Sequence, residues 1–235
     1  MCLHGGDDPE QEPLRALREG ATALGVSLEA AELRRFAAYE EELLRWNRLV
    51  SLVAVKSPLD IAVKHFLDSL SLLPHLPREE GLRLLDIGTG GGFPGLPLKI
   101  VRPEIELHLL EISRKKVSFL REAVRKLGLT GVEVIHERVE AVIRAGLRAG
   151  AYDAVVSRAA FPTAELLAMG AHFLRPGGLL LVMRGPQKLE EPAVSQDLYQ
   201  EKAVSFRLPV RGYPRMIIIF RKAAATLKSA LPPAQ

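Results

Sequence analysis

Four residues that alternate along a short stretch, Asp86, Gly88, Gly90 and Gly92, form the chemically most informative pattern in this sequence. They lie within LLDIGTGGGFPGLPL, where an apolar run and an acid precede four glycines in five positions. Glycine in a folded loop costs conformational entropy, so it marks places where a side chain is not tolerated. A second acid, Glu111, follows 23 residues after Gly88, where an acid is well placed for two ribose hydroxyls. The pattern favours a nucleoside-binding loop; the alternative is a tight turn with an unrelated surface Glu.

The loop is predicted to join the first strand of a sheet to the helix that follows it. From Arg83 onward, short apolar runs typical of buried strands alternate with amphipathic helices. The predicted strands are Leu82–Ile87, Ile105–Leu110, Val132–His136, Tyr152–Val156, Gly178–Met183, Lys202–Arg207 and Arg215–Lys222. The predicted helices are Gly95–Val101, Ser113–Leu127, Val139–Ala145 and Thr163–Leu174, with a further one after Pro186. This order predicts an α/β, Rossmann-like fold: a mostly parallel seven-stranded sheet with a C-terminal antiparallel hairpin, binding ligands at the carboxyl ends of its strands.

The residues before the sheet are predicted to form a helical N-terminal extension over 1–80, loose in its first 13 residues. A short helix is expected from Leu14 to Leu24, and Ser27 is expected to cap a longer one. Ser57-Pro58 has the pattern of an N-cap followed by proline at the first helical position. The sequence thus divides into this extension, a sheet domain over 81–222 and a loose tail over 223–235.

Composition and charge are those of an ordinary globular protein with a basic surface. The chain has 235 residues, a formal net charge of +4 and a pI near 9.3, which is compatible with an RNA partner. Its single cysteine, Cys2, cannot form an internal disulfide. The sequence shows no signal-like or membrane-length apolar segment, which predicts a cytoplasmic protein without membrane contact. The six histidines lack the spacing of metal ligands, so no metal is expected.

The glycine spacing discriminates between two nucleoside cofactors. A dinucleotide fingerprint needs glycine where this sequence has Phe93, which disfavours an NAD dehydrogenase. The pattern acid-x-Gly-x-Gly-x-Gly instead resembles motif I of the class I S-adenosylmethionine-dependent methyltransferases.

Six segments, in the order in which they occur, resemble the bacterial glucose-inhibited division protein B family. They are WNRLVSLVAV (Trp46–Val55), HFLDSL (His65–Leu70), LLDIGTGGGFPGLPL (Leu84–Leu98), LLEISRKKVSFL (Leu109–Leu120), ERVE (Glu137–Glu140) and VVSRA (Val155–Ala159). That family consists of 16S ribosomal RNA guanine-N7 methyltransferases acting on guanine 527 in the 530 loop. The resemblance implies a class I methyltransferase fold, S-adenosyl-L-methionine as cofactor, and 16S rRNA or the small ribosomal subunit as partner.

The resemblance also implies a set of cofactor-binding residues at the carboxyl ends of the strands. They are Asp86, Gly88, Gly90, Gly92, Phe93, Glu111, Ile112, Ser113, Val139, Glu140 and Arg158. Asp86 would lie near the methionine ammonium, and Glu111 would hold the ribose. Two alternatives stay open: Phe93 as a core side chain, and Glu140 as an exposed acid stabilised by the helix dipole, with only its backbone in the site.

Arg158 is the candidate catalytic residue, through positioning of either the base or the cofactor's methionine end. Nitrogen 7 of guanine carries a lone pair and no proton, so its methylation needs alignment rather than a general base. The sequence lacks a cysteine nucleophile near the predicted site, and SRAAFP stands where amine methyltransferases carry Asn/Asp-Pro-Pro-aromatic. An arginine that donates to guanine O6 would orient the base. The alternative is that Arg158 pairs with an acid such as Asp153.

RNA contact requires positive surface, and three clusters offer it. They are Arg34, Arg35, Arg45, Arg48, Lys56 and Lys64 on the extension; Arg114, Lys115 and Lys116 after Glu111; and Arg207, Arg211 and Arg215 at the hairpin. Each cluster alone could be a solvated face. His65, Asp68 and Ser69 share a helix face, and with Asn47 they are expected to dock the extension onto the sheet rather than to bind RNA.

Two other functions remain open on the sequence alone. One is a class I methyltransferase that acts on a protein or a small molecule, against which the basic flanks argue. The other is a cofactor-binding ribosome-assembly factor without catalysis. Transfer of a labelled methyl group to small-subunit rRNA separates them.

Overall fold

The computed structural model of the protein describes residues 12–54, 57–158, 160–185, 195 and 197–224. The helix expected after Pro186, Cys2, Lys56 and the tail from residue 225 lie outside these residues.

A single seven-stranded sheet carries the site. Its strands are β1 (Arg83–Ile87), β2 (Glu106–Glu111), β3 (Val132–His136), β4 (Tyr152–Arg158), β5 (Leu174–Arg184), β6 (Leu198–Arg207) and β7 (Pro214–Lys222). The strand order is β3-β2-β1-β4-β5-β7-β6, with β1 to β5 parallel and β7 antiparallel to both β5 and β6. The order reverses direction between β1 and β4, which is where open parallel sheets bind ligands. The predicted fold, including the terminal hairpin, is confirmed.

Four strands are longer than the sequence predicts: β4 and β7 by one or two residues, and β5 and β6 by four or five. β5 begins at Leu174, four residues before the predicted Gly178, because Leu174 pairs with Tyr152 ahead of a register shift. β6 begins at Leu198 because its first residues pair with the end of β7 across an irregularity between Gln200 and Lys202. Glycine and charged residues in these stretches hide strand pairing that only the neighbouring strand reveals.

Helices cover both faces of the sheet. They are α1 (Glu12–Ala23), α2 (Ala30–Asn47), α3 (Pro58–Ile61), a π-helical segment (Ala62–Leu67), α4 (Asp68–Leu70), α5 (Gly95–Val101), α6 (Arg114–Lys126), α7 (Val139–Arg144) and α8 (Thr163–Phe173). Side chains of α5, α6 and the helices before β1 form one core with one sheet face, and α7 and α8 pack on the other. Alternate strand residues supply the two faces: Leu84 faces the first core, and Leu85 faces the second.

The helix starts differ in how well local sequence predicts them. Ser57 caps α3 as expected, accepting a hydrogen bond from the Asp60 backbone at 3.1 Å. The expectation for Ser27 is wrong, because Glu29 is the N-cap of α2 and forms a reciprocal capping box with Glu32. The Ser27 hydroxyl instead donates to the Glu29 carboxylate at 3.3 Å. A Glu at the cap position can accept from the third helical residue, and Glu32 in turn accepts from the Glu29 backbone.

Candidate active site

The glycine loop leaves β1 and reaches α5 with its backbone in conformations that favour glycine. Gly90 has φ +59°, and a Cβ added there would meet nothing closer than the Gly88 carbonyl at 4.0 Å. Gly92 has φ +90°, and a Cβ there would lie 2.5 Å from both Leu96 Cδ1 and the Tyr39 hydroxyl. Gly92 therefore meets a packing requirement, whereas the space beside Gly90 stays open to a ligand.

Asp86 holds the loop from below. It is fully buried; its Oδ2 accepts from the Thr89 hydroxyl at 2.7 Å and from the Gly95 backbone at 2.8 Å. Its Oδ1 is buried without a partner among the described residues. Burial raises the pKa of Asp86 to about 7, although these two hydrogen bonds and the charge of Arg158 act in the opposite direction. An unpaired carboxylate oxygen in such a place fits a cationic group of a ligand.

Glu111 fixes the same loop from the end of β2. Its Oε2 accepts from the Gly90 backbone at 3.0 Å, and its Oε1 accepts from the Ser113 backbone at 2.8 Å. The residue is only 5% exposed. A carboxylate has about four lone-pair sites, so each oxygen retains capacity to accept from a hydroxyl. The structure thus brings Glu111 and the glycine loop together, as the spacing in the sequence predicts.

The remaining sequence candidates after β2 and β3 differ in exposure. Ile112 is half exposed, and its carbonyl lies 3.0 Å from His136 Nε2. Ser113 is the N-cap of α6 through its backbone, without a side-chain cap. Val139 is buried at the start of α7, and Glu140 beside it is exposed. Their contacts with adenine stay predictions.

Phe93 lies in an aromatic cluster at the base of the loop. It is 3% exposed; its ring centroid lies 5.4 Å from Tyr39, 4.8 Å from His65 and 6.1 Å from Phe66. The guanidinium carbon of Arg158 lies 4.9 Å from the same centroid. Phe93 therefore packs as a core side chain that also supports Arg158, and its contact with a cofactor stays a prediction.

Arg158, the last residue of β4, lines a cavity of about 340 Å³ at the carboxyl edge of the sheet. Its Nη1 donates to the Lys64 carbonyl at 3.1 Å and lies 3.5 Å from Asp68 Oδ2, and its Nη2 donates to His65 Nδ1 at 2.8 Å. Pairing with Asp153 does not occur; that carboxylate accepts from Arg175 and from the Arg83 backbone at the opposite edge. The full lining is Ala54, Lys64, His65, Asp68, Arg158, Met183, Arg184, Gly185 and Arg215.

Four polar residues are expected to dock the extension onto the sheet; the expectation is confirmed for His65 and Asp68, which contact sheet arginines, and is wrong for Ser69 and Asn47, which bond to nearby backbone. Asp68 accepts from Arg215 Nε of β7 at 3.0 Å as well as facing Arg158. Ser69 is a local contact, because its hydroxyl donates to the His65 carbonyl at 2.6 Å. Asn47 closes the turn after α2, its side chain bonding the backbone of Leu52 and Val53 at 2.8–3.1 Å.

Comparison with known proteins decides the family. A profile of the GidB family, described as rRNA small subunit methyltransferase G, matches residues 32–211. The chain belongs to the GidB family. It is 42% identical to the ribosomal RNA small subunit methyltransferase G of Syntrophus aciditrophicus, with 92% of each chain covered. It is 37% identical to the protein of the same name from Pelotomaculum thermopropionicum, covering 89% of this chain and 90% of the relative.

Solved structures place this GidB-family chain in the class I methyltransferase fold. A predicted O-methyltransferase from Agrobacterium tumefaciens matches with TM-score 0.55 and 21% identity, covering 66% of this chain and 80% of that one. A SAM-dependent methyltransferase from Aquifex aeolicus matches with TM-score 0.50 and 18% identity, covering 66% and 90%. These likenesses concern the fold.

The basic candidates of this GidB-family chain occupy different surroundings. Arg114 and Lys115 are exposed in the first turn of α6, with Lys116 half-buried beside them. Arg207 and Arg211 are exposed at the β6–β7 turn, where Arg207 donates to the Gly212 carbonyl at 2.9 Å. On the extension, Arg48 is exposed, and Arg45 pairs with Glu42 at 2.6 Å. Arg215 is half-buried against Asp68, which removes it from the free cations of its cluster.

Two residues of the site in this GidB-family chain were not among the candidates from the sequence. Tyr39 of α2 is fully buried and donates to the Gly91 carbonyl in the glycine loop. Arg184, at the end of β5, donates to the Phe161 carbonyl at 2.6 Å and lines the cavity. The helical spacing of Tyr39 with Phe36 and Leu43 identifies it as buried, but no local pattern shows which loop it meets.

No helix in the described ranges combines the length and apolar character that crossing a bilayer requires. Within the same ranges, no group of three His, Cys, Asp or Glu side chains is arranged to hold a metal ion.

Proposed function

We propose that this chain transfers the methyl group of S-adenosyl-L-methionine to nitrogen 7 of guanine 527 in the 530 loop of 16S ribosomal RNA. Family membership and relatives named ribosomal RNA small subunit methyltransferase G support the rRNA substrate. The choice of nitrogen 7 rests on the sequence resemblance and on the chemistry of the cavity. The partner is then 16S rRNA or the small ribosomal subunit, in the cytoplasm.

The residues of the loop fit S-adenosylmethionine. Asp86 offers a buried unpaired oxygen that suits an ammonium group, and Glu111 keeps acceptor capacity for ribose hydroxyls. The open side of Gly90 admits the ligand close to the backbone. When bound, the cofactor supplies a methyl group on a sulfonium, ready for in-line displacement. The chain's task is to align that group with a nucleophile, which is mainly positioning.

The cavity beside the loop suits a base that needs no deprotonation. The Nδ1 of His65 already accepts from Arg158, and burial, with the charges of Arg158, Lys64 and Arg215, lowers the pKa of His65 to about 3. Asp68 is committed to two arginines. In the described lining, His65 Nδ1 and both Asp68 oxygens already face arginine donors, which fits an acceptor atom such as N7 that carries no proton.

The proposal rests on the hydrogen-bond donors of the Arg158 guanidinium, only some of which are used by its described contacts. The guanidinium has five N–H donors, and three described contacts occupy part of that set: Lys64 carbonyl, His65 Nδ1 and Asp68 Oδ2. Donors remain for the O6 atom of a guanine in the cavity, and O6 lies beside N7 on the same edge of the base. Arg158 would thereby orient the base without blocking the reacting nitrogen.

The decisive experiment maps the methyl group. Small-subunit RNA that lacks the modification is incubated with the chain and labelled S-adenosylmethionine, then reduced and cleaved with aniline, which breaks the strand at 7-methylguanine. A single cleavage at guanine 527 is expected. Label at another atom or another nucleotide contradicts the proposal. Cofactor binding without any transfer to RNA would indicate a non-catalytic assembly factor instead.

Arg158→Lys tests the role of the guanidinium. It keeps the charge and loses the forked, planar donor geometry, so single-turnover methylation should fall while cofactor affinity is kept. If affinity for both S-adenosylmethionine and S-adenosylhomocysteine falls instead, Arg158 binds the carboxylate that both share. If neither affinity nor turnover changes, Arg158 has no part in the reaction.

A further inference from the structure

Asp68 is the only carboxylate among the side chains that line the described cavity, and it faces two arginines from different strands. Its Oδ1 accepts from Nε of Arg215 on β7 at 3.0 Å, and its Oδ2 lies 3.5 Å from Nη1 of Arg158 on β4. The Asp68 side chain is 4% exposed, and the two arginine side chains are 19–20% exposed. Buried ion pairs of this kind are often no more stabilising than apolar replacements, so stability alone does not account for the triad.

The backbone that carries Asp68 has an unusual local structure. Residues Ala62–Leu67 form a π-helical segment between two short α-helical turns. Such segments are rare, and they occur frequently at functional sites because they re-aim the side chains of a helix. Here the segment presents the Lys64 carbonyl and the His65 ring to Arg158, and Asp68 follows it directly.

Together these contacts fix Arg158 from several directions. The Lys64 carbonyl, His65 Nδ1 and Asp68 Oδ2 receive its donors, and the Phe93 ring lies against its guanidinium carbon at 4.9 Å. All three acceptors belong to the helical segment before the sheet, 90–94 residues away in sequence. Without Asp68, Arg158 would lose its nearest described anion. Arg215 would also lose the carboxylate that it shares with Arg158.

We propose that Asp68 is a positioning residue for methyl transfer: it ties Arg158 to Arg215 and thereby fixes the orientation in which Arg158 presents its remaining donors to the substrate base. The inference rests on the proposed role of Arg158. It makes the helical extension a working part of the active site, because the sheet alone supplies the arginine but not the contacts that hold it. Asp68 itself does not need to touch the substrate.

The test uses the whole chain with Asp68→Asn, Arg158→Lys and the double variant. Asp68→Asn should leave S-adenosylhomocysteine affinity unchanged and lower the single-turnover rate by up to about 100-fold, since small displacements of an aligning group have effects of this size. In the double variant the rate should equal that of Arg158→Lys alone, because Asp68 acts only through Arg158. Asp153→Asn is the matched control: it removes an arginine-paired carboxylate at the opposite edge of β4 and should leave the rate unchanged.

The outcomes separate this inference from the proposed function. If Arg158→Lys leaves turnover unchanged, the role of Arg158 is wrong. If Arg158→Lys slows turnover and Asp68→Asn does not, the inference on Asp68 alone is wrong. Independent, multiplicative rate effects in the double variant would also overturn it. Should Asp68→Asn fail to fold, Arg215→Gln tests the same link from the more exposed side: a lowered rate with unchanged cofactor affinity supports the inference, and an unchanged rate overturns it.

Discussion

The Tyr39 hydroxyl donates a hydrogen bond to the carbonyl oxygen of Gly91, joining α2 to the glycine loop across 52 residues of sequence. The same hydroxyl lies 2.5 Å from where a Cβ on Gly92 would be, so the position of Tyr39 and the glycine at 92 depend on each other. The Tyr39 ring stacks on Phe93 with centroids 5.4 Å apart. Helix α2, which precedes the sheet, therefore helps to fix the position of the glycine loop.

Tyr39→Phe should weaken cofactor binding while leaving the fold intact. The variant keeps the ring stack and removes one buried hydrogen bond, which contributes about 0.5–1.5 kcal/mol net, or more where an acceptor is left unpaired. We expect S-adenosylhomocysteine affinity to fall by roughly 2- to 12-fold, measured by calorimetry. Tyr199→Phe, which removes a hydroxyl from a half-exposed position on edge strand β6, is the control and should have no effect. Equal affinities in both variants would show that the loop does not need this anchor.

Alanine substitutions at two glycines distinguish the effect of backbone strain on cofactor binding from the effect of a lost ligand contact. Gly90 and Gly128 have nearly the same φ, +59° and +61°, and a Cβ at either meets no atom closer than 4 Å. Alanine at either position should cost about 1–2 kcal/mol of stability through the left-handed conformation. Only Gly90→Ala should also weaken cofactor binding, because only Gly90 lies in the loop held by Glu111. A matching loss of affinity in Gly128→Ala, by calorimetry, would trace the effect to general strain.

Local sequence predicts the alternation of strands and helices and the glycine loop, because hydrophobic period, turn residues and acids at strand ends are local signals. The contacts that complete the site are harder to predict from the sequence. Asp68 and Arg215 are 147 residues apart, and their pairing follows from β7 inserting between β5 and β6. The π-helical segment also has no sequence signature here; its apolar spacing reads as an ordinary helix. The resemblance places Phe93 in the pocket lining and leaves a core position open, whereas its ring packing depends on helices that precede the sheet.

Glu111→Ala should weaken every ligand that carries the ribose. Charge-assisted hydrogen bonds contribute about 1.5–3 kcal/mol, and loss of the Gly90 and Ser113 backbone contacts adds to the effect. S-adenosylhomocysteine and 5′-methylthioadenosine share the ribose and adenine, so calorimetry should show both affinities falling together. A loss confined to S-adenosylhomocysteine would place Glu111 at the methionine end and contradict the ribose role.

Asp86 should make cofactor binding depend on pH. Burial raises its pKa to about 7 from an ordinary value of 3.8, so the carboxyl is largely protonated in the free protein below neutrality. The stability that this raised pKa contributes is fully present below pH 3.8 and is lost as pH rises through about 7. An ammonium group favours the carboxylate, so S-adenosylhomocysteine affinity should rise from about pH 5.5 to 8. Asp86→Asn should flatten this profile, and 5′-methylthioadenosine, which has no ammonium, is the ligand control. A profile that stays steep in Asp86→Asn would assign the titration to another group.

We expect the first turn of α6 to bind RNA. Its positive charges lower the stability of the helix, so an anionic partner explains them better than folding does. Arg114, Lys115 and Lys116 stand at the positive end of the helix dipole with no acid in that turn, an arrangement that is unfavourable for the isolated fold. Replacing all three with Gln should leave the melting temperature unchanged or raised. It should also reduce the slope of log affinity against log salt for a single-stranded 530-loop RNA by about 2, from about 0.7 per lost phosphate contact. The matched control replaces Arg121, Arg125 and Lys126 at the other end of α6, with the same loss of net charge. If both variants change the salt slope equally, RNA affinity depends only on the overall charge of the chain, and the α6 N-terminus is not a specific contact.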